Sequence, residues 1–226
     1  MELQWSILLG FSYLIAAYLV TYLYDLLRLS SIWVMKAEAD LNDSKYWPRV
    51  DKLLSQLHPL LFEPRAESLL TLLDVFILER VLTNLKSTET ANVIKAVEGF
   101  LSGTIREQAV QNINVMLSRG PASDKFSCCR AQNVGAFIKT RKFLDFALSP
   151  DAVRVLATTI EYLSAEILEV AGNIARAAGK QIVSCTDLDN AIKSHKDISF
   201  ILAARFEQIS KLSLSELDDQ LKTCKL

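Results

Sequence analysis

The chain has 226 residues, half of them hydrophobic, with only seven glycines and five prolines. That length holds one large or two small domains, and the scarcity of turn-formers and of alternating apolar–polar runs excludes a β-rich fold in favour of an all-α protein with long helices. A formal net charge of −1 excludes the large positive excess with which a DNA-wrapping protein neutralises phosphates.

The first predicted element is "LQWSILLGFSYLIAAYLVTYLY", Leu3 to Tyr24, which carries no charged side chain. Its 22 residues suffice to cross a hydrocarbon core of about 30 Å, and Trp5, Tyr22 and Tyr24 suit the interfaces. Glu2 and the lack of a small-x-small site argue against a cleaved signal peptide. Arg28 and Lys36 follow the span and favour a cytosolic carboxy-terminal part. Residues 1–44 are thus expected to form a hydrophobic helix, a candidate membrane anchor, with a juxtamembrane linker from Asp25 to Ser44. A buried helix, or an alternative or misassigned first exon, is the competing reading.

The next stretch, "YWPRVDKLLSQLHPLLFEPRAESLLTLLDVFILERVLTNL", is strongly apolar and helical in character. It is followed by "TIREQAVQNINVML", Thr104 to Leu117, where Thr104 and Glu107 have capping-box spacing. A polar connection, "SRGPASDKFSCCRAQ", leads to "VGAFIKTRKFLDF", a short amphipathic helix.

Then comes "SPDAVRVLATTIEYLSAEILEVAGNIARAAGK", Ser149 to Lys180. Ser149 is an N-cap type, Pro150 fits the first turn, and Asp151 places negative charge at the positive end of the helix dipole. Apolar residues at 152, 153, 156, 160, 163, 167, 170, 171, 174 and 175 mark a broad buried face, and Gly179 offers a stop. Such a rod is too long for short neighbours to cover, so it is expected to cross a second long helix. "QIVSC" reads as a brief extended link. Thr186, with Asp189 in capping-box position, is expected to open a last short helix, "DLDNAIKSH".

The short–long–short order, with "EYLSAEILEVAGNIAR" and "TDLDNAI", resembles the histone fold across Val134 to Leu202. In that family a basic residue after the long helix pairs with an acid opening the third helix; the matching positions here are Lys180 and Asp187. The upstream stretch looks like a first, more degenerate histone fold. Two such folds in one chain, with "QLHPLL", "EYLSAEIL" and a closing "ISKLSLSELDD", resemble the amino-terminal region of the Son of Sevenless Ras guanine-nucleotide exchange factors over about Lys45 to Gln220. The resemblance implies tandem histone folds, 45–120 and 134–220, joined by a linker at 121–133 and followed by a 221–226 tail, paired as an intramolecular pseudodimer. It also implies a regulatory module that docks on other domains of an exchange factor or signalling protein and contacts acidic membrane lipids, with Lys139, Arg141 and Lys142, beside Phe137 and Phe143, as the lipid-facing edge; the competing reading makes the three cations an ordinary solvated helix face, with Phe137 and Phe143 in the core. The family continues into Dbl-homology, pleckstrin-homology and catalytic exchange regions, which this sequence does not contain, so no exchange activity is expected of it.

Trp47 to Gly120 carries eight basic and eight acidic residues, and Asp124 to Asp197 ten and nine, a balance that argues against DNA as a partner. The four cysteines (128, 129, 185 and 224) and two histidines (58 and 195) lack metal-ligand spacing. No nucleophile has an evident base and no phosphate-binding glycine loop occurs, so neither metal, cofactor nor catalysis is expected. The competing functional readings are a nuclear histone-fold protein that heterodimerises in a chromatin or transcription complex, and a membrane-tethered helical scaffold. The corresponding locations are a membrane-associated, cytosol-facing domain or a cytoplasmic or nuclear one.

Overall fold

Long apolar stretches interrupted only briefly by turn-formers give a chain in which helix follows helix. The protein divides into two units, Met1–Lys45 and Tyr46–Leu226. A computed structural model describes residues 50–83, 85, 87–120, 128–141 and 144–223, all in the second unit. The expected apolar helix at Leu3 to Tyr24 and the linker to Ser44 therefore lie outside the described residues.

The described residues are all-α apart from two very short strands. In chain order they form α1 (Val50–Leu57), β1 (Leu61–Phe62), α2 (Pro64–Thr83), α3 (Thr90–Phe100), α4 (Gly103–Arg119), α5 (Ala131–Arg141), α6 (Pro150–Ala177), β2 (Ile182–Val183), α7 (Cys185–Ser194), α8 (Lys196–Ile209) and α9 (Leu214–Thr223).

Helix α6 begins and ends where local chemistry places its ends. The Ser149 hydroxyl accepts the Ala152 N–H at 3.1 Å, one of the donors a helix start leaves unpaired. At the other end Gly179 takes a left-handed φ of 69°. This lets the Gly179 and Lys180 N–H groups reach the Arg176 and Ala175 carbonyls, both at 2.9 Å, a Schellman ending. The 28 residues between span roughly 40 Å at about 1.5 Å each. Its buried stripe includes the expected Ala152, Leu156, Ile160, Leu163, Ile167, Ala171 and Ala175. Val153, Val170 and Ile174 are only partly buried, while Val155, Ala157, Thr159, Ser164 and Leu168 are fully inside.

The partner is α2. Its Asp74 meets Ser164 of α6, hydroxyl to carboxylate, at 2.7 Å, and each residue lies at the middle of its helix. The connections before and after the two long helices then pair crosswise. β1, ahead of α2, runs parallel to β2, behind α6, with Leu61 opposite Ile182 and Phe62 opposite Val183. At the far end the Ser149 N–H donates to the Thr88 carbonyl at 3.4 Å, and the Thr90 and Ser149 hydroxyls lie 3.1 Å apart.

Helix ends are closed from the opposite half as well. Asp197 Oδ2 accepts the Thr104 N–H and hydroxyl at 3.1 and 3.2 Å, and Glu63 accepts the Cys185 N–H at 3.1 Å. Arg65 donates to the Ser210 and Leu212 carbonyls at 2.6 and 3.0 Å. Arg154 donates to those of Met116 and Gly120 at 3.1 and 2.6 Å.

Three local expectations are corrected here. The box expected at Thr104 does not form: Ser102 is the N-cap, without a side-chain bond, because Asp197 reaches in from 93 residues away to take the free N–H. The last short helix opens at Ser184, not Thr186. Ser184 and Asp187 form the reciprocal capping box, since the extended residues of β2 end at Val183 and leave Ser184 as the first available cap; Asp189 instead pairs with Lys193 on the exposed face at 2.7 Å. Helix α5 starts at Ala131, inside the stretch read as linker.

Candidate functional site

Lys180 and Asp187 come together as a built unit. The left-handed turn at Gly179 brings Lys180 back over the end of α6, and the Ser184 cap points Asp187 inward. Lys180 Nζ lies 2.8 and 3.1 Å from the two Asp187 oxygens. Asp187 Oδ2 also accepts the Ser184 N–H at 2.9 Å and hydroxyl at 2.7 Å. The Asp187 side chain is 2% exposed, that of Lys180 43%. Burial alone raises the Asp187 carboxyl; the bonds from Lys180 and Ser184 outweigh it and hold the group below its ordinary value. This pair fastens the α6–α7 corner, and its chemistry is structural: both carboxylate oxygens are engaged by donors.

The expected basic edge is only partly within the described residues. Lys139 is exposed near the end of α5 and Arg141 is its last residue. Lys142 and Phe143 lie outside the described residues. Phe137 does not accompany Lys139 at the surface: it is 3% exposed, packed into the core with Val134 and Ile138, because α5 turns that face onto α6. Further along the chain Phe146 is 36% exposed. The sequence reading carries the short helix on to Phe146, whereas α5 ends at Arg141 and leaves Phe146 beyond it.

A cleft of about 370 Å³ opens between α4 and α6, beside Cys129 and Ala131. Arg154, although 5% exposed, is fixed on its wall by Asp151 at 3.0 Å and the two carbonyls that end α4. Tyr162 donates its hydroxyl to Gln108 at 2.6 Å, and burial together with Glu166 raises its phenol above its ordinary range. Glu161 accepts the Cys128 and Cys129 N–H groups at 3.3 and 3.0 Å. Both thiols are pushed up, chiefly by burial, and so are held in the un-ionised form that is a poor nucleophile. Cys185 is pushed up to about 11 by burial and by Glu63. A second groove of about 640 Å³ runs between the end of α2 and α3, with Arg80, Lys95, Ser87 and Asn92 on its walls. Among the described residues, no group of three or more His, Cys, Asp or Glu is placed to hold a metal ion. Nor, among them, is any helix long and apolar enough to cross a membrane.

His58 was missed as a structural residue. Its ring, 2% exposed, places Nε2 3.1 Å from the Glu169 carbonyl and lies so close to Gly172 that a Cβ there would overlap it. The signal was present in two places, a histidine in an apolar run and a glycine inside a long helix, but nothing in sequence connects positions so far apart. No protein-family model matches the chain, and no curated protein matches it either.

Proposed function

We propose that the described residues are two histone folds paired within one chain, and that this pseudodimer is a non-catalytic docking module of the kind that regulates Son of Sevenless-type exchange factors. The observation that carries the reading is the crosswise closure of the two halves. Two long helices cross at their midpoints, and the link before each pairs with the link after the other. A histone fold alone leaves the apolar face of its long helix uncovered; here each half supplies what the other lacks. Joining them in one chain raises the effective concentration of the partner and removes the need for a second protein.

The rest rests on the resemblance. The module docks on other domains of an exchange factor or signalling protein, restrains them, and contacts acidic phospholipid at a membrane, with the remaining chain facing the cytosol. Lys139, Arg141 and Lys142 form the lipid-facing edge. Near-balanced charge supports a protein and lipid role over a nucleic-acid one. The raised thiols and the engaged carboxylates favour binding over chemistry.

Co-sedimentation of residues 46–226 with vesicles, with and without phosphatidic acid, tests this. Binding is expected only with the acidic lipid, weakening as salt screens the charges over about 8–10 Å and falling on replacing Lys139, Arg141 and Lys142 together with glutamate. Binding that ignores lipid charge and the triple replacement contradicts the lipid role. Nucleotide release from Ras by the purified chain contradicts the non-catalytic one.

A further inference from the structure

Asp74 sits where the two halves cross, and it is built unlike the other buried acid. Asp187 has four donor contacts. Asp74 is 0% exposed and has one, the Ser164 hydroxyl on Oδ1 at 2.7 Å; Oδ2 is buried with no hydrogen-bond partner. A carboxylate stripped of water with a single neutral donor is far more costly to hold than the neutral acid.

Among the described residues, the surroundings of Asp74 offer no compensating cation. Facing Asp74 are Ser164 from α6 and the buried Cys129 thiol ahead of α5, whose own ionisation burial, Asp74 and Glu161 all oppose. Behind Cys129 lie Cys128 and Glu161, the latter bonded to both cysteine N–H groups. The charged groups of the other elements against α2 are engaged elsewhere or exposed. On α1, His58 is held at Glu169 and Lys52 is exposed. Lys95 of α3 is exposed and Glu98 only partly buried. On α7, Asp187 holds Lys180. On α8, Arg205 lies over the Phe76 ring, and on α9, Glu216 is bonded to Ser213. Arg154, the buried cation of α6, is spent on the end of α4.

We propose that Asp74 is a proton latch: it is carried as the neutral acid at the crossing of the two long helices, and losing its proton loosens the pairing of the two halves. The chemistry is one proton released to water from the carboxyl. The anion left behind, 0% exposed to solvent, then needs water or a cation to be admitted to the crossing. Burial pushes the group up to about 8, against the smaller lowering effect of Ser164. The sign follows from proton counting. Below the ordinary value of 3.8 both folded and unfolded chains hold the proton. Between there and about 8 only the folded chain does, so stability falls as pH rises through that window. This is opposite to the effect of Asp187.

Urea unfolding of the full chain between pH 5 and 9, with Asp74→Asn alongside, tests the latch. The unfolding constant of the natural chain, divided by that of the variant, is expected to rise about tenfold per pH unit up to about pH 8; the quotient cancels other titrating groups. A quotient independent of pH overturns the proposal. Two measurements stand without the Asn variant. The natural chain at pH 6 is expected to show a carbonyl stretch of a buried carboxylic acid, lost on raising the pH. Ser164→Ala, which removes the only donor, is expected to extend the loss of stability to higher pH. Absence of that band, or a loss that ends at lower pH in Ser164→Ala, overturns it equally.

Discussion

Helices α2 and α6 cross at their midpoints but live in different surroundings. Helix α6 has α1, α3, α4, α5 and α7 along its length, yet Glu169, Asn173 and Arg176 are exposed, so it keeps a polar face. Helix α2 packs on α6 and is also covered by α3, α7, α8 and α9. Eleven of its 20 residues are buried, including the adjacent pairs Leu69–Leu70 and Leu72–Leu73. The difference teaches that the two halves are unequal. The second contributes helices that wrap the long helix of the first, and α2 becomes the interior rod of the whole unit. A helix in that position is apolar over most of its circumference, with Arg80 and Thr83 exposed toward its end.

The largest break comes from a charge in the shared core. Leu163→Asp places an unpaired carboxylate at a position 2% exposed and is expected to cost roughly 4 kcal/mol or more, enough to unfold the unit. Circular dichroism melting reads it directly, and native melting behaviour would mean that this face of α6 is exposed. Leu73→Asp is expected to be at least as damaging, since Leu73 is 0% exposed at the middle of α2.

The glycines sharpen the contrast between inside and outside at smaller cost. Gly172→Ala drives a methyl into the His58 ring and is expected to destabilise by about 1–3 kcal/mol, the usual effect of overpacking. Gly99→Ala on α3 meets nothing within 4 Å and is expected to stabilise by about 0.5–1 kcal/mol through helix propensity. Thermal melts of the pair check both signs, and equal effects would show that His58 yields freely.

The two long helices also differ in how far they are legible from sequence. Ser149, Pro150 and Gly179 are local signals, and a one-sided helix displays its periodicity, so α6 reads almost to the residue. Helix α2 is buried on several sides and has no periodicity to show; its helical state reads, its facing does not. The Lys180–Asp187 contact was expected through the resemblance to the histone fold, which pairs a base after the long helix with an acid opening the next, and the two residues are seven apart. The Asp197–Thr104 cap and the His58–Gly172 fit were not, because they join segments that only the folded crossing brings together. The choice of Thr186 over Ser184 as a cap was a two-residue slip between equally good cap types. Phe137 takes the core placement, one of the two that its sequence leaves open, since an aromatic next to lysine looks the same in sequence whether it faces the core or the solvent.

The caps give the smaller effects and separate local from remote closure. Asp187→Asn removes the charge that holds Lys180 and is expected to cost about 2 kcal/mol. Because the folded Asp187 carboxyl lies below its ordinary value, its contribution is full above that value and disappears as pH falls through the folded one. The gap between natural chain and variant, followed in urea from pH 7 to pH 3, should therefore close on acidification; a constant gap contradicts the pairing. Asp197→Ala removes a cap supplied across the halves and is expected to cost about 1 kcal/mol. Hydrogen exchange at Thr104 should quicken, and unchanged protection there would dismiss the remote cap.

Sedimentation equilibrium of residues 46–226 across a wide concentration range tests most directly the claim that both partners of the pairing come from one chain. The crosswise closure of the two halves predicts a folded species with the mass of a single chain at every concentration. A folded species that exists only as a dimer, or a chain that stays unfolded until a second protein is added, would contradict it.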